Sequence, residues 1–159
     1  MSGRRDEIAL TPAEVDAFIR SRRICVLVTL GPDGLPDPVP MWFVVDPDGG
    51  IVMRTFTKSQ KAVNLRRDPR FSALLEDGER YAELRGVQLT GTVELVDDAD
   101  LIADIITGLA LKYEGLDPVH ADTARTAARE RAGKQVAMRL RPDRVVSWDH
   151  RKLGLPPTA

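Results

Sequence analysis

The sequence is poor in the residues that carry metal and covalent chemistry. It contains one cysteine and two histidines, so one chain can form neither an internal disulfide nor a multi-cysteine metal site. The histidines, His120 and His150, are too far apart in sequence to indicate a metal centre. No nucleophile with an adjacent base is evident either. We therefore expect no metal ion and assign no catalytic residue.

The chain also lacks the features of nucleic-acid-binding, membrane-spanning and secreted proteins. Aromatic residues make up 5% of it and its formal net charge is -1, so no stacking platform accompanies a basic surface. No apolar run approaches the roughly 20 residues that span a bilayer. The N-terminal residues lack the apolar core of a signal peptide. We expect a cytoplasmic protein that binds neither nucleic acid nor membrane.

The single cysteine, Cys25, lies in the apolar run ICVLVTL. We interpret it as a small core residue, because burial in apolar surroundings raises a thiol pKa and suppresses the reactive thiolate. A reactive thiol is the less favoured alternative.

The length of 159 residues suits one well-cored domain and is short for two. Thr11, Pro12 and Glu14 form a capping box with proline at the first helical position, which predicts a helix from Pro12 to about Arg22. The expected organisation is a flexible N-terminus at 1–10, a single domain at 11–155 and a C-terminal tail at 156–159.

Apolar and β-branched runs separated by turn residues predict an antiparallel sheet. The predicted strands are 24–30, 39–45, 51–56, 71–75, 81–96, 135–140 and 144–148. The predicted helices between them are 59–67, 99–113 and 120–132. Turns at 31–34 and 46–50 connect the first three strands into a meander. Strands joined by tight turns are antiparallel, so the fold class is mainly β with peripheral helices, a barrel or sandwich rather than a doubly wound parallel sheet.

The stretch MRTFTKSQKAVNLRRDPR, 53–70, is strongly basic in an otherwise balanced chain. Its cations are Arg54, Lys58, Lys61, Arg66, Arg67 and Arg70, against one anion, Asp68. A strand end followed by a helix start would let Thr55, Ser59 and Lys61 surround an anion beside free backbone N–H groups. Alternatively, Ser59 only caps the helix and the cations form a solvated face.

These residues also carry a family resemblance. The pattern of Thr55, Ser59 four residues later and Lys61 two residues after that resembles a known phosphate-binding motif. This motif holds the phosphate in the pyridoxamine 5'-phosphate oxidase-like superfamily of flavin-binding split barrels. NLRRDPRFSALL, 64–75, resembles the branch that uses the deazaflavin coenzyme F420. The segments LRGVQLTGTVEL and RVVSWDHRKL are similar to later strands of that superfamily. The resemblance covers most of residues 11–155 and implies a split antiparallel β-barrel.

The resemblance implies a set of cofactor-binding residues. They are Pro40, Met41, Trp42, Arg54, Thr55, Ser59, Gln60, Lys61, Asn64, Arg85 and Trp148. Lys61, Thr55 and Ser59 would hold the phosphate with help from Arg54 and Asn64. The strand from Pro40 to Trp42 would pass beneath the tricyclic ring, and Trp148 would reach the cofactor from the last strand. Core packing is the alternative for both tryptophans.

Two departures from the oxidases argue against vitamin B6 oxidase activity and leave the phosphate site unaffected. Gln60 stands where the oxidases usually have arginine, and the helical excursion 99–132 is longer than theirs. The resemblance therefore implies a homodimer with F420 at the subunit interface, transferring a hydride to or from an unsaturated small molecule. The alternatives are an FMN-dependent oxidase of the pyridoxamine 5'-phosphate oxidase type and a non-catalytic protein that binds a cofactor or tetrapyrrole.

Overall fold

The computed structural model of the protein describes residues 4–154, so the predicted tail at 156–159 lies outside the described residues. The strands are β1 (Cys25–Leu30), β2 (Pro36–Met41), β3 (Val44–Val45), β4 (Ile51–Phe56), β5 (Arg70–Asp77), β6 (Arg85–Val96) and β7 (Gln135–Asp149). The helices are α1 (Arg4–Glu7), α2 (Pro12–Ser21), α3 (Gln60–Arg67), α4 (Ala99–Leu109) and α5 (Ala121–Glu130). None of these helices is long and apolar enough to cross a lipid bilayer.

The sheet curls because its two edge strands are neighbours in the chain. All strand pairs are antiparallel, in the order β2-β1-β5-β6-β7-β4-β3. Only Trp42 and Phe43 separate the end of β2 from the start of β3. Three Cα–Cα steps of about 3.8 Å keep these strand ends within about 11 Å of each other. The result is an antiparallel barrel that is open between β2 and β3, which confirms the predicted fold class.

The predicted meander of the first three strands is wrong. β1 and β2 form a hairpin at one edge of the sheet, and β3 and β4 form another at the opposite edge. The run 39–45, predicted as one strand, is interrupted at Trp42 and Phe43. The backbone of Phe43 forms hydrogen bonds with a side chain instead of with a neighbouring strand. The Tyr113 hydroxyl lies 3.3 Å from the Phe43 amide nitrogen and 3.0 Å from its carbonyl oxygen.

The two strands predicted at the end of the chain are one strand, β7. Its pairing with β6 shifts register between Thr90 and Gly91, where Pro142 enters the strand. A Cβ on Gly91 would overlap the carbonyl oxygen of Arg141 and lie 2.8 Å from the Pro142 Cα. Glycine is therefore required at this bulge.

Two apolar clusters hold the fold together. One fills the barrel and includes Phe43, Met53 and Cys25. Burial raises the pKa of the Cys25 thiol to about 12, which confirms the interpretation of this residue as core. The second cluster lies on the outer side of β4, where Ile102 and Ile105 of α4 pack together with Val52.

The N-terminal segment is joined to the end of β7. The Thr11 capping box is present: Thr11 Oγ1 accepts from the Glu14 amide, and the Glu14 carboxylate accepts from the Thr11 amide at 2.7 Å. Upstream, the Ile8 carbonyl accepts from the Asp149 amide at 2.8 Å. The Leu10 amide donates to Ser147 Oγ at 3.0 Å. The folded unit therefore begins before residue 11, where the sequence had placed its start.

Candidate functional site

The structure brings Thr55 and Ser59 together where β4 passes into α3. Ser59 is the N-cap of α3, and its Oγ accepts from the Ala62 amide at 3.4 Å. The Thr55 hydroxyl lies 2.9 Å from the same Oγ. Thr55 is 7% exposed, so its position is fixed by the sheet. The two predicted hydroxyls thus form one rigid pair at a helix start.

Lys61 lies in the first turn of the same helix and is half-buried. The first N–H groups of a helix have no intrahelical acceptor, and here Ser59 satisfies only that of Ala62. The N–H groups of Gln60 and Lys61 therefore add partial positive charge to that of the ammonium. We call the Thr55 and Ser59 hydroxyls, these N–H groups and the Lys61 ammonium the grip.

Most of the cations in the basic stretch 53–70 are held by protein groups. Arg54 donates to Gln135 Oε1 (2.9 Å), Arg66 to the Thr57 carbonyl (2.6 Å), Arg67 to the Leu30 carbonyl, and Arg70 to the Asp68 carboxylate (2.6 Å). The hydrogen bonds from Arg70 lower the pKa of Asp68 to about 2. Within residues 4–154, Lys58 and Lys61 make no hydrogen bond or ion pair through their ammonium groups. The charge available to a ligand is therefore concentrated on the two lysines that flank Ser59.

Arg54 projects from the opposite face of β4 to Thr55. Thr55 pairs with Val136, whereas Arg54 pairs with Ala137, and side chains alternate between the faces of a strand. The Arg54 guanidinium binds Gln135 on that outer side. The structure does not bring Arg54 to the grip, and its role in cofactor binding stays a prediction.

Asn64 and Gln60 tie α3 to the barrel. Asn64 is fully buried, and its Nδ2 donates to Thr29 Oγ1 at 3.0 Å and to Asp37 Oδ2 at 3.1 Å. Its Oδ1 accepts from Gln60 Nε2 at 2.9 Å. Both amide hydrogens of Asn64 are therefore used. These contacts position α3 on the barrel, and the expected assistance of Asn64 at the phosphate stays a prediction.

Arg85 belongs to an ion cluster at the start of β6. Its Nε donates to Asp77 Oδ2 at 3.0 Å, and Arg22 Nη1 lies 2.9 Å from the same oxygen. The hydrogen bonds from Arg85 and then Arg22 lower the pKa of Asp77. The Arg85 guanidinium also lies 5.4 Å from the centre of the Phe18 ring. These contacts give Arg85 a structural role in the protomer, and its cofactor contact stays a prediction.

Trp148 packs against β6. It pairs with Gly86, and a Cβ on this glycine would lie 2.8 Å from Trp148 Cε2. The indole therefore needs a glycine beneath it, but Trp148 is only partly buried, and both its cofactor contact and the core-packing alternative stay open. Close by, His150 Nδ1 lies 2.7 Å from the Tyr81 carbonyl oxygen, and the two rings are 4.6 Å apart.

Pro40 and Met41 end the edge strand β2, and Trp42 follows them. Prolines alternate along β2 at 36, 38 and 40, so these positions carry no N–H donor. The free edge consequently presents carbonyl oxygens and resists pairing with another strand. Trp42 is 45% exposed and stacks on Tyr113, with ring centroids 4.6 Å apart and an interplanar angle of 11°. One indole face is thus held in place by the protein.

Sequence reasoning missed the residues that surround Trp42. Lys112 and Tyr113 lie in a π-helical turn, Ala110–Glu114, that follows α4. The Arg23 guanidinium lies 4.7 Å from the centre of the Tyr113 ring. Burial, followed by the charge of Arg23, lowers the pKa of Lys112 to about 8. The helical excursion was recognised in the sequence, but no local pattern connected it to Trp42.

Neither metal ligands nor an enclosed cavity identify another centre among residues 4–154. No group of three or more His, Cys, Asp or Glu side chains there is placed to hold a metal ion. A cavity of about 650 Å³ lies between the N-terminal segment and β7, where Leu10, Val15 and Val146 contribute to its wall. The grip lies outside this cavity, on the surface of the protomer.

The sequence matches the family model described as pyridoxamine 5'-phosphate oxidase over residues 11–149. The chain belongs to this family. The match spans every strand of the barrel together with the grip, in agreement with the resemblance seen in the sequence. No curated protein sequence matches the chain.

Solved structures of similar fold extend this comparison. The conserved hypothetical protein Rv2991 from Mycobacterium tuberculosis is 41% identical, with a TM-score of 0.89 over 99% of this chain and 96% of that one. An F420 reductase is 25% identical, with a TM-score of 0.61 over 82% of this chain and 94% of that one. HutZ, the heme storage protein from Vibrio cholerae, is 17% identical, with a TM-score of 0.63 over 86% of this chain and 95% of that one. At 17% identity the likeness shows the fold alone.

Proposed function

We propose that the protein is an F420-dependent oxidoreductase that transfers a hydride between the deazaflavin and an unsaturated small molecule. The observation that carries this proposal is the grip, in which the fixed Thr55–Ser59 pair is followed, in the first turn of α3, by Lys61, whose ammonium group has no partner among residues 4–154. The F420 reductase that shares 25% of its sequence with this chain supports the choice of deazaflavin.

The donor set of the grip fits a phosphate ester. Each hydroxyl has one donor, and their mutual hydrogen bond uses one of the two, so one hydroxyl donor remains. The first N–H groups of α3 and the Lys61 ammonium add further donors at the start of the same helix. Lys61 would neutralise the phosphate charge, while Thr55 and Ser59 would fix its orientation. The bound deazaflavin would supply the hydride chemistry, as cofactors do in redox enzymes. The protein would supply the position of the ring and the exclusion of water around it.

The ring would lie along the segment from Pro40 to Trp42. This segment leads into β3, and Val44 of β3 pairs with Val52, three residues before Thr55. The grip and the ring segment thus belong to connected strands. Because Ser59 and Lys61 remain partly exposed in one protomer, we propose a homodimer whose second subunit covers the cofactor. Location in the cytoplasm stays a prediction.

The decisive experiment is a pair of fluorescence titrations of cofactor-free protein with coenzyme F420 and with FMN, at fixed salt. Wild type is compared with Lys61→Ala and with Lys134→Ala, which removes an exposed lysine outside the grip. Loss of a hydrogen bond to a charged group costs about 1.5–3 kcal/mol, so Lys61→Ala should weaken F420 binding roughly 10- to 100-fold. Lys134→Ala should leave it unchanged. Equal effects of the two substitutions would refute the assignment of the grip.

The same titrations separate the alternatives. Tighter binding of FMN than of F420 would favour the FMN-dependent oxidase. Gln60 argues against that outcome, because its amide is directed to Asn64 and the arginine usual in the oxidases is missing. Tight binding of haem, with no reduction of any acceptor by reduced F420, would favour a non-catalytic tetrapyrrole-binding protein.

A further inference from the structure

Five residues from three parts of the chain form an aromatic–cation cluster at the open side of the barrel. Trp42 and Phe43 come from the β2–β3 link, Arg23 from the segment before β1, and Lys112 and Tyr113 from the π-helical turn. Tyr113 stacks between the Trp42 indole, 4.6 Å away, and the Arg23 guanidinium, 4.7 Å away. The Lys112 ammonium lies 3.8 Å from the centre of the buried Phe43 ring.

The cluster holds two cations and no anion. Lys112 Nζ donates to the Phe43 carbonyl at 3.3 Å, and Arg23 Nη1 donates to the Lys112 carbonyl at 3.3 Å. Neither side chain forms an ion pair with any residue from 4 to 154. Lys112 is half-buried, and two of its three N–H donors remain for other partners. An anionic ligand would offset the unfavourable burial of this charge.

The backbone presents Lys112 and Tyr113 to the same acceptor. The Tyr113 hydroxyl and the Lys112 ammonium both lie within hydrogen-bond distance of the Phe43 carbonyl. Consecutive residues of a regular α-helix point in directions about 100° apart. The wider π-helical turn lets both reach one carbonyl, and such turns occur frequently at functional sites.

The chemistry of the cluster defines its ligand. Trp42 is 45% exposed and its ring is held by Tyr113, so it offers a rigid surface for a planar group. Tyr113 separates Arg23 from the indole, so Lys112, which lies against the adjacent Phe43, is the cation that would bind a negative charge on that group. We propose that the aromatic–cation cluster is a binding subsite for a planar, conjugated carboxylate. The identification of this carboxylate as the hydride acceptor rests on the proposed function, because Trp42 also ends the segment expected beneath the cofactor ring.

The test measures binding without cofactor, by calorimetry or by ligand-observed NMR. The probes are naphthalene-2-carboxylate and its neutral analogue naphthalene-2-carboxamide. The test variant is Lys112→Met, which keeps an unbranched side chain of similar length and removes the charge. Lys134→Met is the control, because it makes the same change of charge elsewhere in the protein. We expect the carboxylate to bind wild type at least tenfold more tightly than the amide. Lys112→Met should abolish that preference, whereas Lys134→Met should preserve it.

A pH series gives a second measurement that a merely structural lysine would not alter. The titratable groups that act on this site are Lys112, Tyr113, Cys25 and the permanently charged Arg23. Burial raises the pKa of Tyr113, and the pKa of Cys25 is about 12, so Lys112 is the group that changes charge near pH 8. Carboxylate affinity should therefore fall severalfold between pH 7 and 9, and in Lys112→Arg it should stay constant.

The subsite would be refuted by equal binding of carboxylate and amide, by equal effects of Lys112→Met and Lys134→Met, or by no binding to folded wild type at millimolar probe. These outcomes are independent of the F420 titration, so the subsite and the proposed function can fail separately. If the carboxylate binds as expected, reduced F420 should reduce a conjugated enoate, giving a hydride to the β-carbon while water supplies the proton to the α-carbon, so that oxidised F420 and the saturated carboxylate form. Lys112→Met should raise the KM for the enoate more than it lowers kcat. An unchanged KM would refute the role of this carboxylate as acceptor.

Discussion

Replacement of Asn64 by aspartate tests how α3 is attached to the barrel. Asn64→Asp preserves the size of a fully buried side chain but replaces its donor by an oxygen. The amide hydrogens that reach Thr29 Oγ1 and Asp37 Oδ2 are lost. In the folded state a new carboxylate would then face that of Asp37. Asn64→Ala is the uncharged comparison: it removes both of these hydrogen bonds and also the one that Oδ1 accepts from Gln60, which Asn64→Asp retains.

The expected cost follows from these contacts. A neutral hydrogen bond contributes about 0.5–1.5 kcal/mol and one to a charged group about 1.5–3 kcal/mol, so Asn64→Ala should lower the free energy of unfolding by roughly 2–4 kcal/mol. Two carboxylates separated by the 3.1 Å of the present contact would repel by about 5 kcal/mol at an effective dielectric constant of 20. Proton uptake by the pair limits that repulsion. At pH 7, Asn64→Asp should therefore lower the free energy of unfolding by on the order of 3–5 kcal/mol. Proteins of this kind have a stability of about 5–15 kcal/mol, so the variant should still fold.

The stability of Asn64→Asp should depend on pH in a definite direction. The pair of carboxyl groups in Asn64→Asp binds a proton more tightly when folded than when unfolded, because only folding brings the two charges together. The folded state then holds more protons, so the free energy of unfolding increases as the pH falls. Urea unfolding of wild type, Asn64→Ala and Asn64→Asp at pH 7 and pH 5 measures this directly. An Asn64→Asp protein as stable as wild type at pH 7, or one whose deficit relative to Asn64→Ala is the same at both pH values, would refute the argument.

Two further predictions concern the bulge and the core. Gly91→Ala places a Cβ against the backbone of Arg141 and Pro142. Overpacking of this kind should lower the free energy of unfolding by roughly 3 kcal/mol. Calorimetry should then show a melting temperature lower by about 6–12 °C. Gly133→Ala, with nothing within 4 Å of the added Cβ, is the control, and equal shifts would contradict the bulge assignment. With its pKa at about 12, the Cys25 thiol should resist iodoacetamide at pH 8 and react once urea unfolds the protein. Rapid labelling of native protein would show that the thiol is accessible.

Local sequence signals predicted the helices well because their determinants lie within a few residues. The box formed by Thr11 and Glu14 places the start of α2. Ser59 begins α3, which ends before Asp68, where the following proline disfavours the helical conformation. Each of these boundaries depends on contacts that a short window of sequence contains.

The order of the strands could not be predicted in the same way. The run 39–45 looks like one apolar strand, and it divides only because the Phe43 backbone bonds Tyr113, 70 residues away. That contact exists only once α4 has packed on the outer side of the barrel. Likewise, the continuity of β7 through Pro142 depends on a glycine in another strand, Gly91. Pairings between distant segments are not encoded in local periodicity.

The same distinction explains which predicted site residues the structure brings together. Thr55 and Ser59 are four residues apart across a strand end and a helix start, and their hydroxyls meet. The partners of Asn64 and Arg85 are the acidic residues Asp37 and Asp77, which no pattern links to them. A family resemblance indicates which sequence positions correspond to the family's cofactor-binding residues. The contacts within this protein decide whether the side chain at such a position is available to bind a cofactor.

The division of the basic stretch follows the direction of α3. At the C-terminal end of the helix, Arg66 and Arg67 donate to the Thr57 and Leu30 carbonyls, in the last turn, where cations are favoured by the helix dipole. These contacts, together with Asn64, hold the helix on the barrel. The first turn of α3 holds Lys61, whose ammonium group has no partner among residues 4–154, and N–H groups that carry positive partial charge. A charge excess that looks uniform in the sequence is therefore divided in the structure, with the arginines near the C-terminal end of α3 attached to the barrel and Lys61 near its start left available for the anion site proposed above.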